Sequence, residues 1–294
     1  MQIIYLAVKA EAKFVEIQID RSFVERYKNR VTIDATFTVD KAMGSPNHGF
    51  IDGDLHLSGR APEIALPSVA EIANASSYKA AVDIVHSAER ARRPLKISGV
   101  WRLWAEHSGG TSVEQGRPLE PAETTNPEHV FEIHPVTRID ALRLLDSFRP
   151  VEGFKPGDAQ RTFGLYEQAT CTLRVESRTV SIISPPGLYN DVEFVMELAD
   201  GRTTVVPDGR FATASVWDKA GALVVKRVRM VFAKGTPPER AVSLLKRGER
   251  LRVYGIARLD LAEVSRRVTS SRSNPAVLTG TLPYEIIVIG VYPK

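Results

Sequence analysis

Alternating hydrophobic and polar residues run through much of the chain. Residues 31–39, VTIDATFTV, place an apolar side chain at every odd position and a polar one between each pair. A period of two is typical of a strand with one buried face. The pair Asp200-Gly201 lies between two apolar-rich runs and predicts a tight hairpin, because such a pair tolerates positive φ. The pattern predicts a mainly β protein.

Helical periodicity is confined to short segments. Residues 80–90 place alanines and valines along one side. Residues 237–247 follow Thr236, a helix-capping residue type, carry prolines in the first turn and end before Gly248. Residues 139–148 form a third predicted helix, which ends before a proline.

The two halves of the chain share a short motif. Residues 95–103, LKISGVWRL, and residues 251–259, LRVYGIARL, both read L-x-x-x-G-x-x-R-L, and each follows one of the first two predicted helices. Each is followed by a polar loop and a last strand, VFEIHPV at 130–136 and PYEIIVIGVYP at 283–293. The residues of the motif match, and so does the order of helix, strand, loop and last strand around it. Together these matches indicate an internal duplication.

Several strands, a helix before the late strands and a glycine within a bent strand are the order of a small five-stranded Greek-key barrel. The sequence therefore predicts a mainly β fold of two tandem OB-like Greek-key β-barrels, each with a short helix before its late strands. A single large β-sandwich is the alternative.

Length and charge suggest where the two barrels divide. A chain of 294 residues fits two domains of roughly 150 residues. Residues 1–150 hold 18 basic and 20 acidic side chains, and residues 151–294 hold 21 and 15. We predict an OB-like domain at 1–150, a linker at 151–160 and a second, basic OB-like domain at 161–294.

Composition narrows the class of protein. With 43% hydrophobic and 25% charged residues, the chain has enough apolar side chains for a core and is not of the disordered class. No apolar run approaches the roughly 18–20 residues that span a bilayer, which predicts no membrane segment. The start of the chain lacks the features of a secretory signal, and Cys171 is the only cysteine, so we expect a cytoplasmic protein.

Candidate chemistry is concentrated in the first half, which holds every histidine: His48, His56, His86, His107, His129 and His134. Residues 51–57, IDGDLHL, and residues 130–136, VFEIHPV, each alternate polar with apolar positions. If the two strands are neighbours, Asp54, His56, Glu132 and His134 converge, and with Asp52 they form a set that suits a divalent metal ion or an acid/base pair. A ligand-contacting polar patch and a solvated sheet face are the alternatives.

A family resemblance rests on the same segments: DGDLHLSGRA (52–61), SGVWRLWAEH (98–107) and NPEHVFEIHPVTRI (126–139). They resemble a group of uncharacterised bacterial, notably cyanobacterial, proteins. The signature D-x-D-x-H followed by E-x-H-P-V is similar to that of a small bacterial OB-like domain. The resemblance covers roughly residues 20–150, implies a barrel, and singles out the five polar residues just named without implying an activity.

The basic second half predicts contact with anions. The candidate ligand-binding residues are Arg102, Trp104, His107, Lys226, Arg227, Arg229, Lys246, Arg247, Arg250 and Arg252. The first hypothesis is a non-enzymatic binding protein for nucleic acid or another anionic partner. The alternatives are a metal-dependent hydrolase of the phosphodiesterase or nuclease type, with its site in the first barrel, and a scaffold or assembly subunit. The residues do not predict an oligomeric state.

Overall fold

The structure is a computed structural model, and it describes residues 4–7, 14–64, 68–107, 121–271 and 276–293. The strands of these residues are β1 (Ile4–Ala7), β2 (Val15–Asp20), β3 (Thr32–Ala42), β4 (Leu55–Arg60), β5 (Ser68–Ile72), β6 (Leu95–Leu103), β7 (Phe131–Ile139), β8 (Leu142–Arg143), β9 (Gly157–Asp158), β10 (Thr170–Val175), β11 (Thr179–Ser184), β12 (Asp191–Val206), β13 (Gly209–Trp217), β14 (Leu223–Ala233), β15 (Arg250–Leu259), β16 (Ala276–Thr281) and β17 (Tyr284–Val291). The helices are α1 (Arg21–Tyr27), α2 (Lys79–Ala91), α3 (Ala159–Gln168), α4 (Pro237–Leu244) and α5 (Leu261–Ser270).

The first barrel, called barrel 1, consists of β3, β4, β5, β6 and β7. The first three form an antiparallel meander, β5 pairs in parallel with β7, and β6 lies between β7 and β3, which closes the sheet. The parallel pair requires a crossover between β5 and β7. Helix α2 begins that crossover, after β5 and before β6, where the sequence predicted a helix.

The second barrel, called barrel 2, repeats this topology with β12, β13, β14, β15 and β17. Its parallel pair is β14 with β17, and α4 precedes β15 as α2 precedes β6. The Thr236 hydroxyl accepts a hydrogen bond from the Glu239 amide at the start of α4, as a helix cap does. The prediction of two tandem OB-like barrels, each with a helix before its late strands, is confirmed.

A third sheet joins the two halves of the chain, and the sequence pattern did not predict it. We call it the joining sheet, and its strand order is β1-β2-β11-β10-β16. β2 comes from the first half and pairs with β11 from the second, from Val15 opposite Ser184 to Asp20 opposite Thr179. Residues 151–160, predicted as a linker, contain β9 and the first two residues of α3, and the Asp158 side chain caps that helix.

The shared motif occupies the fourth strand of each barrel, and its glycine has a steric role. A Cβ on Gly99 would collide with the Ile133 side chain and lie 2.8 Å from the Pro135 carbonyl oxygen. A Cβ on Gly255 would lie 2.5 Å from the carbonyl oxygen of Ile287. In both barrels the glycine therefore allows the fifth strand to pack closely against the fourth, where a side chain would not fit.

The arginine of the shared motif ties the barrels together. Arg102 donates from Nε to the carbonyl of Ala257 (2.9 Å), and Arg258 donates from Nη1 to the carbonyl of Trp101 (2.9 Å). Each arginine thus binds the residue that precedes its counterpart, so the contact between the two barrels is reciprocal. An apolar cluster that includes Val100 of barrel 1 with residues of β14, β15 and β17 lines the same contact.

Two local predictions are wrong. Residues 139–148 do not form an α-helix: Asp140 adopts a left-handed conformation (φ 50°), β7 turns into β8, and Leu145–Ser147 form one turn of 3₁₀-helix. Asp200-Gly201 is not a hairpin, because β12 continues through it with a break in its register to β13, and the reversal comes at residues 207–208. In both cases strand pairing overrides the local signal.

In the part of the chain that the structure describes, no helix has the length and apolar character needed to cross a membrane.

Candidate metal centre

The polar turn before β4 presents the two predicted aspartates. Asp52 and Asp54 are not on the strand as the alternation predicted, because Gly53 adopts φ +73° and β4 begins only at Leu55. The Asp52 carboxylate accepts hydrogen bonds from the Asp54 amide (3.0 Å) and the Asn47 side chain (2.8 Å). Asp52 therefore stabilises the turn, and the turn carries Asp54 into the protein.

β4 and β7 are not neighbours, since β5 lies between them and contributes a carboxylate that sequence reasoning missed. Glu71 of β5 lies opposite His56 of β4. On its other edge β5 runs parallel to the segment of β7 that carries Glu132 and His134. The signal for Glu71 was a single acidic residue in the run SVAEI, since carboxylates are seldom placed in fully buried strands without a partner.

These strands bring the polar residues together around His134. Its Nε2 lies 3.1 Å from Oδ2 of Asp54, and its Nδ1 lies 3.1 Å from Oε2 of Glu71 and 3.4 Å from Oε2 of Glu132. His56 Nε2 lies 3.6 Å from the same oxygen of Glu71. The structure therefore brings Asp54, His56, Glu132 and His134 into one cluster, in which Glu71 lies between His56 and His134.

Several atoms of this cluster lack a hydrogen bond despite their burial. Both ring nitrogens of His134, Oδ1 of Asp54 and Nε2 of His56 have no partner of suitable geometry among the described residues. The carboxylate neighbours of His134 are near enough in distance, so the angles are what fail there, whereas the nearest carboxylate oxygen to Nε2 of His56, at 3.6 Å, is too distant. A buried polar atom without a partner costs on the order of 1–3 kcal/mol, and such a set calls for an explanation.

Burial and mutual charge shift the protonation of the cluster. Burial raises the pKa of Glu71 to about 8 and raises the pKa of Asp54. Burial alone lowers the pKa of His134, but the carboxylates of Glu71 and Asp54 outweigh it and raise that pKa well above its ordinary value. The protein without an ion therefore holds protons in this cluster at neutral pH.

Glu132 has a partner that the other carboxylates lack. Arg102 donates from Nη1 to both of its oxygens (2.7 and 2.6 Å) and from Nη2 to Glu106 (2.9 Å). Burial opposes ionisation of Glu132, but the Arg102 guanidinium and the neighbouring His129 and His134 together outweigh it and hold the pKa of Glu132 well below its usual range. Arg102 is fully buried, so none of its donors is available to an external anion.

The equivalent position in barrel 2 shows which part of the cluster is present in both barrels. Glu285 takes the place of Glu132 and accepts from Nε of Arg258 (2.7 Å), so the buried arginine–glutamate pair is common to both barrels. Ile287 takes the place of His134 and belongs to the apolar cluster between the barrels. The pair is therefore part of the shared fold, and the histidine with its other carboxylates is specific to barrel 1.

Two sets of three side chains in the described residues are close enough together to hold a metal ion. One is Asp54, Glu71 and His134, and the other is His107, His129 and Glu132, and in each set one ligand atom per residue lies within 4.8 Å of the others. Glu132 links the sets, because its Oε2 faces His134 and its Oε1 lies 3.2 Å from Nε2 of His129. Carboxylate oxygen and imidazole nitrogen together are donors for ions such as Zn²⁺ and Mn²⁺.

The predicted anion-binding residues are dispersed. Trp104 is buried and packs edge-on against Tyr166, with ring centroids 5.5 Å apart, and His107 is partly exposed at the edge of the cluster. Four of the basic residues in barrel 2 have carboxylate partners: Arg227 with Asp200, Arg229 with Asp260 and Glu285, Arg250 with Glu197, and Arg252 with Glu193. Lys226, Lys246 and Arg247 are exposed. Paired guanidinium groups lose much of their attraction for an external anion.

No protein-family model matches the chain, and no curated protein matches it. The geometry of the site is therefore the basis for any functional inference.

Proposed function

We propose that the protein binds a divalent metal ion in barrel 1, with Asp54, Glu71 and His134 as its ligands. The observation that carries this proposal is the state of His134. Both of its ring nitrogens lie 3.1 Å from a carboxylate oxygen, yet neither has hydrogen-bond geometry with it. A histidine binds an ion through one ring nitrogen, and that nitrogen and a carboxylate oxygen that shares the ion form no hydrogen bond with each other, because both direct lone pairs at the ion.

The charges of the three ligands support an ion of charge two. When His134 is neutral and both carboxylates are ionised, the set carries two negative charges inside the protein. Isolated buried carboxylates are costly, and without an ion they are relieved only by taking up protons. A divalent ion displaces those protons and neutralises the set, which is the usual coupling between metal binding and deprotonation.

The burial of the site favours a structural ion. The side chains of Asp54, Glu71 and His134 are between 5 and 7% exposed, so bulk solvent has little access to an ion held between them. Asp191 and Tyr254 of barrel 2 are close enough that the charges of His134 and Asp54 act on their pKa values. The ion would therefore stabilise the side of barrel 1 that faces barrel 2.

Binding of nucleic acid or another anion is supported less well. Lys226, Lys246 and Arg247 are exposed, but most of the other candidates are buried or paired with carboxylates. No described arrangement gathers these cations around one position. The metal proposal is preferred because its residues do converge.

The test is a calorimetric titration of metal-free protein with Zn²⁺ and with Mn²⁺, accompanied by thermal unfolding. We expect His134→Gln and Glu71→Gln each to lose one equivalent of bound ion, or to bind it more weakly by at least about tenfold. Binding to the native state must also raise the unfolding temperature of the wild type. His48→Gln removes a histidine of barrel 1 outside the cluster and is the matched control. Equal stoichiometry and affinity in wild type and both ligand variants would overturn the proposal.

A further inference from the structure

The polar cluster extends beyond Glu132 toward the protein surface. His129 Nε2 lies 3.2 Å from Oε1 of Glu132, and the rings of His129 and His107 stack with their centroids 4.9 Å apart. One ligand atom from each of the three residues lies within 4.8 Å of the others. This second set is therefore continuous with the first, and Glu132 is the carboxylate between them.

The hydrogen bonds of His129 orient it as a metal ligand. Its Nδ1 lies 2.6 Å from the carbonyl oxygen of Pro127, and a carbonyl only accepts, so Nδ1 carries the proton. The other nitrogen, Nε2, forms a hydrogen bond with Oε1 of Glu132 (3.2 Å), and an ion bound between these two atoms would displace the proton of Nε2. A histidine held by a backbone carbonyl through one nitrogen and directed at an ion through the other is the usual arrangement at metal sites.

Glu132 retains lone pairs for this role although it is paired with Arg102. Each oxygen of a carboxylate has two acceptor sites, and Arg102 donates one hydrogen bond to each oxygen. The remaining site of Oε1 faces His129, and that of Oε2 faces His134. A carboxylate placed in this way is able to contact an ion on either side.

The second set differs from the first in its access to solvent. The His107 side chain is 35% exposed, and it lines a cleft of about 540 Å³ together with Glu106, Lys155, Asn190 and Asp191. The cleft lies between the end of β6 and the start of β12, so both barrels contribute to it.

We propose that His107, His129 and Glu132 bind a second divalent cation, whose open coordination positions face this cleft and accept a phosphate oxygen of an anionic ligand. The proposal rests on the proposed function, because Glu132 adjoins both ions. Three protein ligands leave at least one position of a four-coordinate ion for an exchangeable ligand. Lys155 is exposed at the cleft and supplies a further positive charge, and the Glu106 carboxylate accepts a hydrogen bond from Arg102 (2.9 Å).

The test counts ions and then adds inorganic phosphate. Titration of the metal-free full chain with Mn²⁺ is expected to give two equivalents in the wild type and in His48→Gln. His107→Gln, a substitution at a partly exposed position, is expected to retain only the equivalent that depends on His134. Inorganic phosphate, titrated into the Mn²⁺-loaded proteins, is expected to bind the wild type and to bind His107→Gln at least about tenfold more weakly. Far-UV circular dichroism checks that each variant is folded.

The outcomes separate the two proposals. One equivalent that is lost in His134→Gln and kept in His107→Gln overturns the second site and leaves the proposed function intact. One equivalent that is kept in His134→Gln and lost in His107→Gln overturns the proposed function and supports the second site. No bound ion overturns both. Two equivalents, with phosphate binding that does not change in His107→Gln, would refute the phosphate ligand.

Discussion

At the scale of single residues, the carboxyl of Asp191 in barrel 2 couples its protonation to the stability of the fold. It accepts a hydrogen bond from the Tyr254 hydroxyl (2.6 Å), and burial raises its pKa to about 7. An unfolded aspartate ionises near pH 3.8. Between these two values the folded protein holds a proton that the unfolded chain has released, so this group makes stability fall as pH rises.

We predict that Asp191→Asn removes this dependence, since asparagine keeps an acceptor for Tyr254 and does not titrate. In metal-free protein, the free energy of unfolding of the wild type should fall relative to the variant by up to about 1.4 kcal/mol per pH unit between pH 5 and 7. Above pH 8, the difference between the free energies of unfolding of the wild type and the variant should become constant. Urea denaturation at a series of pH values measures it. Parallel curves for the two proteins over this range would show that Asp191 ionises normally.

Sequence patterns identified the site residues that alternate with apolar neighbours and missed the one that does not. His56 and His134 stand out because each lies two residues from a carboxylate on a half-buried pattern. Glu71 lies in a run whose residues are all buried. The run therefore has no alternation of buried and exposed positions that would distinguish Glu71. Arg102 was predicted to meet an anion, and the structure shows that the nearest anion is Glu132 on the adjacent strand. Such a partner is defined by strand pairing, which the local sequence does not reveal.

At the scale of elements, the crossing of β15 and β17 depends on Gly255. A Cβ there would lie 2.5 Å from the Ile287 carbonyl oxygen, and that oxygen belongs to backbone that cannot move aside cheaply. We predict that Gly255→Ala lowers the free energy of unfolding by about 1–3 kcal/mol, as overpacking in a core does. Chemical denaturation of the variant and wild type measures the change.

Gly164 offers a matched control for that prediction. It lies within α3, and a Cβ there would meet nothing within 4 Å. Gly164→Ala should therefore be neutral or stabilising by up to about 1 kcal/mol, because alanine has the higher helix propensity. If both variants behave alike, the glycine of the shared motif is not required by the strand crossing.

The elements differ in how far the sequence predicted them. β3 and the two helices before the late strands follow from local periodicity and capping, and they are present as predicted. The joining sheet was missed because its strands come from segments far apart in the chain, such as β2 and β11. The local sequence of a strand does not show which distant strand it pairs with. The predicted helix at 139–148 failed because β7 and β8 pair across a turn at Asp140, whose side chain type tolerates positive φ.

At the scale of the whole molecule, the two halves are connected by more than the chain. β2 of the first half pairs along its length with β11 of the second. Arg102 and Arg258 each donate to a carbonyl of the opposite barrel, and an apolar cluster lines the same contact. Separation of the halves would leave a strand edge unpaired, expose apolar surface and free a buried guanidinium from one of its acceptors. Each of these effects is unfavourable.

We therefore predict that residues 1–150 and 151–294, expressed separately, are each much less stable than the full chain, although each contains a complete set of barrel strands. Thermal unfolding followed by circular dichroism compares the fragments with the intact protein. When the fragments are mixed, the joining sheet and the arginine contacts should re-form, and the unfolding temperature should rise with fragment concentration, as it does for any association that favours the native state. The control is the mixture that contains the Arg258→Met form of the second fragment, which should associate more weakly. Fragments that unfold cooperatively within a few degrees of the full chain, with no effect of mixing, would show that the barrels are independent domains despite their shared sheet.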